Sequence, residues 1–169
     1  MLANCVRMVA DANQRRLDRW KRAAGSALAD MLVAEEGAAC YLGHLDPSVR
    51  KIAVEVLSLY WRSKPDGPSV VAIEGMALGD RDGMVREVAL LALGACYRGT
   101  GDVRVGKLLA RVVRDDAEPA LLRRAAYAAL HFLRGLKTPL PVEGVSPCAI
   151  FQIPENADWS FVDSFLAEP

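Results

Sequence analysis

Two histidines, His44 and His131, are the side chains whose ordinary pKa lets them act as bases near neutral pH. His44 closes an apolar periodic stretch, where a partly charged ring suits the negative end of a helix. His131 has no Ser, Cys or carboxylate at a helical offset that would build a dyad on its own face. The run Gly101-Asp102-Val103-Arg104-Val105-Gly106-Lys107 fits GxxxxGK by letters. Leu108 follows it, where a phosphate-binding loop needs Ser or Thr for the metal, and a helix rather than a strand precedes it. Asp80-Arg81-Asp82-Gly83 has the opening of a calcium loop but neither the third acidic ligand nor the distal Glu. Glu35-Glu36 and Asp115-Asp116 fall at helix ends or turns, where paired acids are solvated. Neither GxSxG nor HExxH occurs. The expectation is therefore a chain with no catalytic residues, no metal and no cofactor.

The cysteines, Cys5, Cys40, Cys96 and Cys148, are not spaced as CxxC, and no His lies at a ligand-like offset from them. Cys40 and Cys96 sit in apolar helical context, which reads as reduced core residues of a cytoplasmic protein. Met1-Leu2-Ala3-Asn4-Cys5 has the letters of a lipoprotein cleavage box without the basic and apolar regions that lead into one. No apolar run is long enough for a transmembrane helix.

A length of 169 residues suits one domain, and 52% hydrophobic residues can fill its core. Lys+Arg and Asp+Glu both number 21, so no global field draws the chain to nucleic acid or acidic membranes. Aromatics are scarce at 7%, and abundant Ala, Leu, Val and Arg favour close-packed helices.

An internal repeat organises these helices. Val49-Arg50-Lys51-Ile52-Ala53 runs to Leu57, Val85-Arg86-Glu87-Val88-Ala89 to Leu93, and Leu122-Arg123-Arg124-Ala125-Ala126 to Leu130. Arg50 to Arg86 is 36 residues, and Arg86 to Arg123 is 37. Acidic turns precede each segment, at 46–48, 79–83 and 114–119, and a second apolar-periodic stretch lies upstream of each turn. Each unit thus reads as helix, tight turn, helix. Pro65-Asp66-Gly67-Pro68 and Gly99-Thr100-Gly101-Asp102 separate the units.

The run Asp46-Pro47-Ser48-Val49-Arg50-x-x-Ala53-x-x-x-Leu57, with its echoes at 82–93 and 115–130, resembles the HEAT-repeat family and its bacterial HEAT-like relatives. The resemblance spans about residues 27–135. It implies an all-α fold, a right-handed α-α superhelix of about three hairpins (27–63, 68–98 and 102–135). An N-terminal helical cap (1–26) and a C-terminal tail cap (137–169) complete it. It also implies that Asp46 and Asp82, with Arg50, Arg86 and Arg123, support packing between neighbouring turns. The third unit departs from the pattern by two extra residues between Asp116 and Leu121.

At about 100° per residue, Val49, Ala53, Val56, Leu57 and Tyr60 share the buried stripe of the first unit's second helix. The opposite side carries Lys51, Glu55, Ser58 and Arg62. The same offsets give Glu87, Leu91, Gly94 and Arg98, then Arg124, Ala128 and His131, with Tyr127 beside them. Stacked units bury their stripes against one another, so the second helices line one concave wall. That wall, mixed in charge and mildly basic, is the expected partner-binding surface.

At the N-terminus, Arg15, Arg16, Arg19, Lys21 and Arg22 read as the wet side of a capping helix, with binding to nucleic acid or an anionic surface as the sharper alternative. At the C-terminus, prolines 139, 141, 147 and 154 punctuate an extended tail, and Trp159, Val162, Phe165 and Leu166 share a helical face. That tail either caps the last unit or hooks a partner through Trp159 and Phe161.

The function expected is a non-enzymatic protein–protein interaction module, for instance an inhibitor or adaptor. The alternative is nucleic-acid binding, since some HEAT-like folds are DNA glycosylases with a basic concave face. A lyase acting on a bound chromophore is a third reading. No membrane partner is expected.

Overall fold

The structure, a computed structural model, describes residues 14–22, 24–136 and 157–167. It is all-α, and no strand occurs among the described residues. Helix α1 covers residues 14–22. The first hairpin begins with α2 (Ala27–Val33) and α3 (Glu35–Ala39), which runs on as a 3-10 turn, Cys40–Gly43. Its second helix is α4 (Pro47–Glu55), continued by a π-helical turn, Val56–Trp61. The second hairpin is α5 (Pro68–Gly79) and α6 (Gly83–Cys96), and the third is α7 (Val103–Arg114) and α8 (Ala120–Leu133). Helix α9 (Trp159–Ala167) closes the described chain.

Turn chemistry fixes where the second helices start. Asp46 accepts from Ser48 N, and Asp82 from Met84 N and Val85 N, so each caps the orphan amides of its own helix. Pro47 occupies the first turn of α4, where its missing N–H costs nothing. The longer third turn has no side-chain cap on α8. Asp115 instead accepts from Ala117 N and closes a local turn.

Arginines then lock one turn to the next. Arg50 makes a two-pronged pair with Asp80, Nε to Oδ2 at 2.9 Å and Nη2 to Oδ1 at 2.7 Å. Its Nη1 donates to the carbonyls of His44 and Leu45. Arg86 repeats the pattern on Glu118 and on the Ala77 carbonyl. Arg123 ends the series within its own turn, on Val113 O and Asp116. Arg50 and Arg86 bridge neighbouring turns, onto the carboxylates of Asp80 and Glu118, whereas Arg123, expected to do the same, stays within its own turn because no further unit follows among the described residues. Asp46 and Asp82 serve as caps.

The second helices form the tight row of the molecule: α6 packs on α4 and, most extensively, on α8. Small residues make this approach possible. A Cβ on Gly94 would stand 2.6 Å from Ala129 Cα, so only glycine fits there. Ala53, Ala89, Ala125, Ala126 and Ala129 are fully buried around it, with Ile52, Leu57, Leu90, Leu93 and Leu130 filling the core.

Two local departures follow from packing. The first hairpin's opening helix is broken at extended Ala34, and α2 crosses α3 so closely that a Cβ on Gly37 would lie 2.4 Å from Asp30 O. In α4 the π turn inserts one residue, with Arg62 N donating to Leu57 O five positions back. The insertion rotates every later side chain. Tyr60, expected in the buried stripe, is 52% exposed, and Ser58, expected on the outer wall, is 7% exposed. Ser58 Oγ turns inward onto Val54 O at 2.9 Å.

Candidate functional site

Lys51, Glu87 and Arg124 hold equivalent places on α4, α6 and α8, each half-buried. One turn earlier on the same face stand Ser48, Met84 and Leu121, and Met84 is 55% exposed. A shallow depression lined by Pro47, Ser48, Lys51, Asp82 and Met84 joins the starts of α4 and α6. Half-buried Leu91 lies one turn further along, and exposed Arg62 and Arg98 mark the far end. Arg98 stacks over the Phe132 ring at 4.4 Å.

Both margins of this wall are occupied by the chain itself. On the α4 side, Arg19 Nη2 and Trp20 Nε1 of α1 both donate to Glu55 Oε2, and Trp20 is buried. Glu55 therefore anchors α1. On the α8 side, Tyr127 is buried and its hydroxyl accepts from Asp158 N at 3.0 Å. The Phe161 ring packs 4.8 Å from the His131 ring and edge-on to Tyr127. Burial pushes the His131 imidazole below its ordinary value, against the pull of the Asp158 carboxylate. His131 is thus a packing residue under α9. The wall that remains open is its middle, around Lys51, Met84, Glu87, Leu91, Leu121 and Arg124.

Helix α9 is seated chiefly on α7. Phe165, fully buried, fills the place a side chain on Gly106 would take, since a Cβ there would come within 2.4 Å of the ring. Arg114 pairs with Asp163 and stacks over Trp159 at 4.3 Å. Most of the expected extended tail, 137–156, lies outside the described residues, as do Cys5 and Cys148.

The GxxxxGK letters are absorbed by structure. Asp102 caps α7 through Val105 N, which places a carboxylate where a phosphate would have to sit. Asp80 and Asp82 are committed to Arg50 and to the cap of α6. Among the described residues no group of three or more His, Cys, Asp or Glu could hold a metal ion. Cys96 has its thiol pushed up to about 11, by burial first and by Glu35 second. No described helix is long and apolar enough to cross a membrane.

Asp80, Glu118 and Trp20 carry interactions that the repeat alone did not single out. Asp80 had a signal, an acid two positions before a capping Asp. Glu118 lies in the residues that lengthen the third turn. Trp20 could be read only as an apolar point of an amphipathic helix. Set against known protein families, curated proteins and solved structures, the chain matches none.

Proposed function

We propose that this chain is a non-enzymatic protein-binding module. In this reading it is a short right-handed α-α superhelix of HEAT-like hairpins that grips a partner with the open middle of its second-helix wall. An inhibitor or an adaptor would work this way. The supporting observation is the alternation along that wall. Lys51, Glu87 and Arg124 put plus, minus and plus on successive helices, and Met84 and Leu121 stand exposed beside them. A surface that follows a phosphate backbone works by neutralising successive phosphates with Lys and Arg. Exposed apolar side chains inside a rim of both signs suit a protein interface. The repeated arginine lock between turns supports the HEAT-like reading of the array.

The test is site-specific photocrosslinking from exposed position 48, beside Met84, in the source cell, with the apolar-to-acidic pair Met84→Glu and Leu121→Glu as control. A discrete protein adduct that the double variant abolishes is expected. Recovery of nucleic acid instead, with affinity falling steeply as salt rises, would overturn the reading.

A further inference from the structure

Helix α5 has the sequence of an interior helix and the position of a surface one. Glu74 is its one charged residue, and apolar residues run round its whole circumference. Such a helix belongs in a core. Here, among the described elements, α5 packs closely on α6 alone. Val71, Ala72, Gly75, Leu78 and Gly79 form an exposed strip at helical spacing, with Val71 58% and Leu78 52% exposed. Its neighbour α7 is written differently: it is strongly amphipathic, and its outward positions are Arg104, Lys107 and Arg111.

Between α5 and α7 runs an open groove of about 560 Å³ with Leu78, Leu108 and Val112 along it. Its carboxylates are already engaged. Both Glu74 carboxylate oxygens accept from Arg104 Nη1, at 2.8 and 2.6 Å, Glu118 belongs to Arg86, and Asp115 closes its own turn. Lys107 and Arg111, one helical turn apart on the rim, have no carboxylate partner among the described residues.

The opposite flank of α7 shows what this helix accepts. There α9 presents an apolar face, with Phe165 against Gly106, and a carboxylate, Asp163, to Arg114. The open flank offers the same two elements, apolar surface and cations one turn apart, with no helix upon it among the described residues. We propose that the α5–α7 groove is a docking site for an amphipathic helix of a partner protein. The apolar stripe of that helix lies on Leu78 and Leu108, and its flanking carboxylates meet Lys107 and Arg111. The site is on the first-helix row and is separate from the second-helix wall.

The probe is a fluorescein-labelled helical peptide of about five turns, with a Leu stripe flanked by Glu, together with a twin flanked by Lys. Fluorescence anisotropy with the full chain measures both. The Glu-flanked peptide should bind at least about tenfold tighter than its twin, the expected scale for two reversed charge pairs at an interface rim. Lys107→Glu with Arg111→Glu should invert that preference; Arg111 is exposed and Lys107 half-buried, and neither belongs to the core. Leu78→Asn should weaken both peptides, while Met84→Glu with Leu121→Glu should leave both unchanged. Equal affinity for the twins, indifference to the α7 substitutions, loss through the wall variant, or no binding would each overturn the proposal. So would a concentration-dependent dimer abolished by Leu78→Asn, because a second copy would then cover the groove.

Discussion

Replacing Arg50 by Met tests the lock between turns most directly. The Arg50 and Asp80 side chains are 6% and 8% exposed, so each is desolvated and relies on the other. Burial alone would raise the Asp80 carboxyl. The hydrogen bonds from Arg50 and from Asp82 N, with the Arg50 charge, outweigh it and hold that carboxyl below the usual range. Removing one member of a buried pair costs about 3–5 kcal/mol, because the survivor keeps its charge without a partner. The low end applies, since Asp80 keeps the Asp82 amide at 2.8 Å and the exposed His44 and Leu45 carbonyls recover water. At a urea slope of about 2 kcal/mol/M, a loss of ~3 kcal/mol moves the midpoint down by about 1.5 M. Asp80→Leu added to Arg50→Met removes the stranded charge and should restore most of the loss. The sign with pH follows from the depressed carboxyl. The lock contributes fully above the ordinary carboxylate value and is lost as pH falls through the native one, so Arg50→Met should flatten the acid limb of stability. A single substitution costing under about 1 kcal/mol, or a double variant no more stable than the single, would refute the reasoning.

Three further outcomes are expected. Gly94→Ala should lower stability by about 1–3 kcal/mol in thermal or urea unfolding, because its methyl meets Ala129 backbone that cannot move aside. Acidification should loosen α9. His131 is held neutral below its ordinary 6.5, so docking is unimpaired above that value and weakens as pH falls toward the native pKa. Trp159 fluorescence should report this shift, and His131→Phe should remove it. At pH 8, iodoacetamide should modify exposed Cys40 at least about tenfold faster than Cys96, whose thiol at about 11 leaves roughly one molecule in a thousand as thiolate. Peptide mass spectrometry measures the ratio.

The helical hairpins were legible because their signals are local. In the first two units an Asp cap, a Pro or Gly in the first turn and a Val-Arg pair recur, and the third keeps an apolar-Arg pair at nearly the same spacing. The π turn was not legible. Nothing in Val56-Leu57-Ser58-Leu59-Tyr60-Trp61 distinguishes it from an α-turn; the anchors lie elsewhere, in Trp61 Nε1 on Met31 O and Ser63 on Leu57 O. One inserted residue then moved Ser58 inward and Tyr60 outward. The candidate wall was legible as a register of positions and illegible as a surface. Its margins depend on where α1 and α9 settle, and that is decided by Glu55 receiving Trp20 and by a glycine notch receiving Phe165.

The zero net charge conceals a local distribution that bears on the proposed partner. Most described acids are spent on the chain itself. Asp46, Asp82 and Asp102 cap helices, while Asp80, Glu118, Asp116, Asp163, Glu74 and Glu55 each hold an arginine. The cations outnumber those positions, and Lys51, Arg62, Lys64, Lys107 and Arg111 make no ion pair among the described residues. Around the two open surfaces these cations make the local field more basic than the composition suggests. These cations do not converge: Lys51 belongs to α4, Arg62 caps the π turn that continues it, Lys64 belongs to an inter-unit loop, and Lys107 and Arg111 to the opposite row. A nucleic-acid duplex carries a negative charge about every 1.7 Å and rewards cations gathered along one track. Short acidic segments of a folded partner need only two or three cations beside an apolar surface. Met84 and Leu121 on one row, and Leu78 and Leu108 on the other, supply that surface.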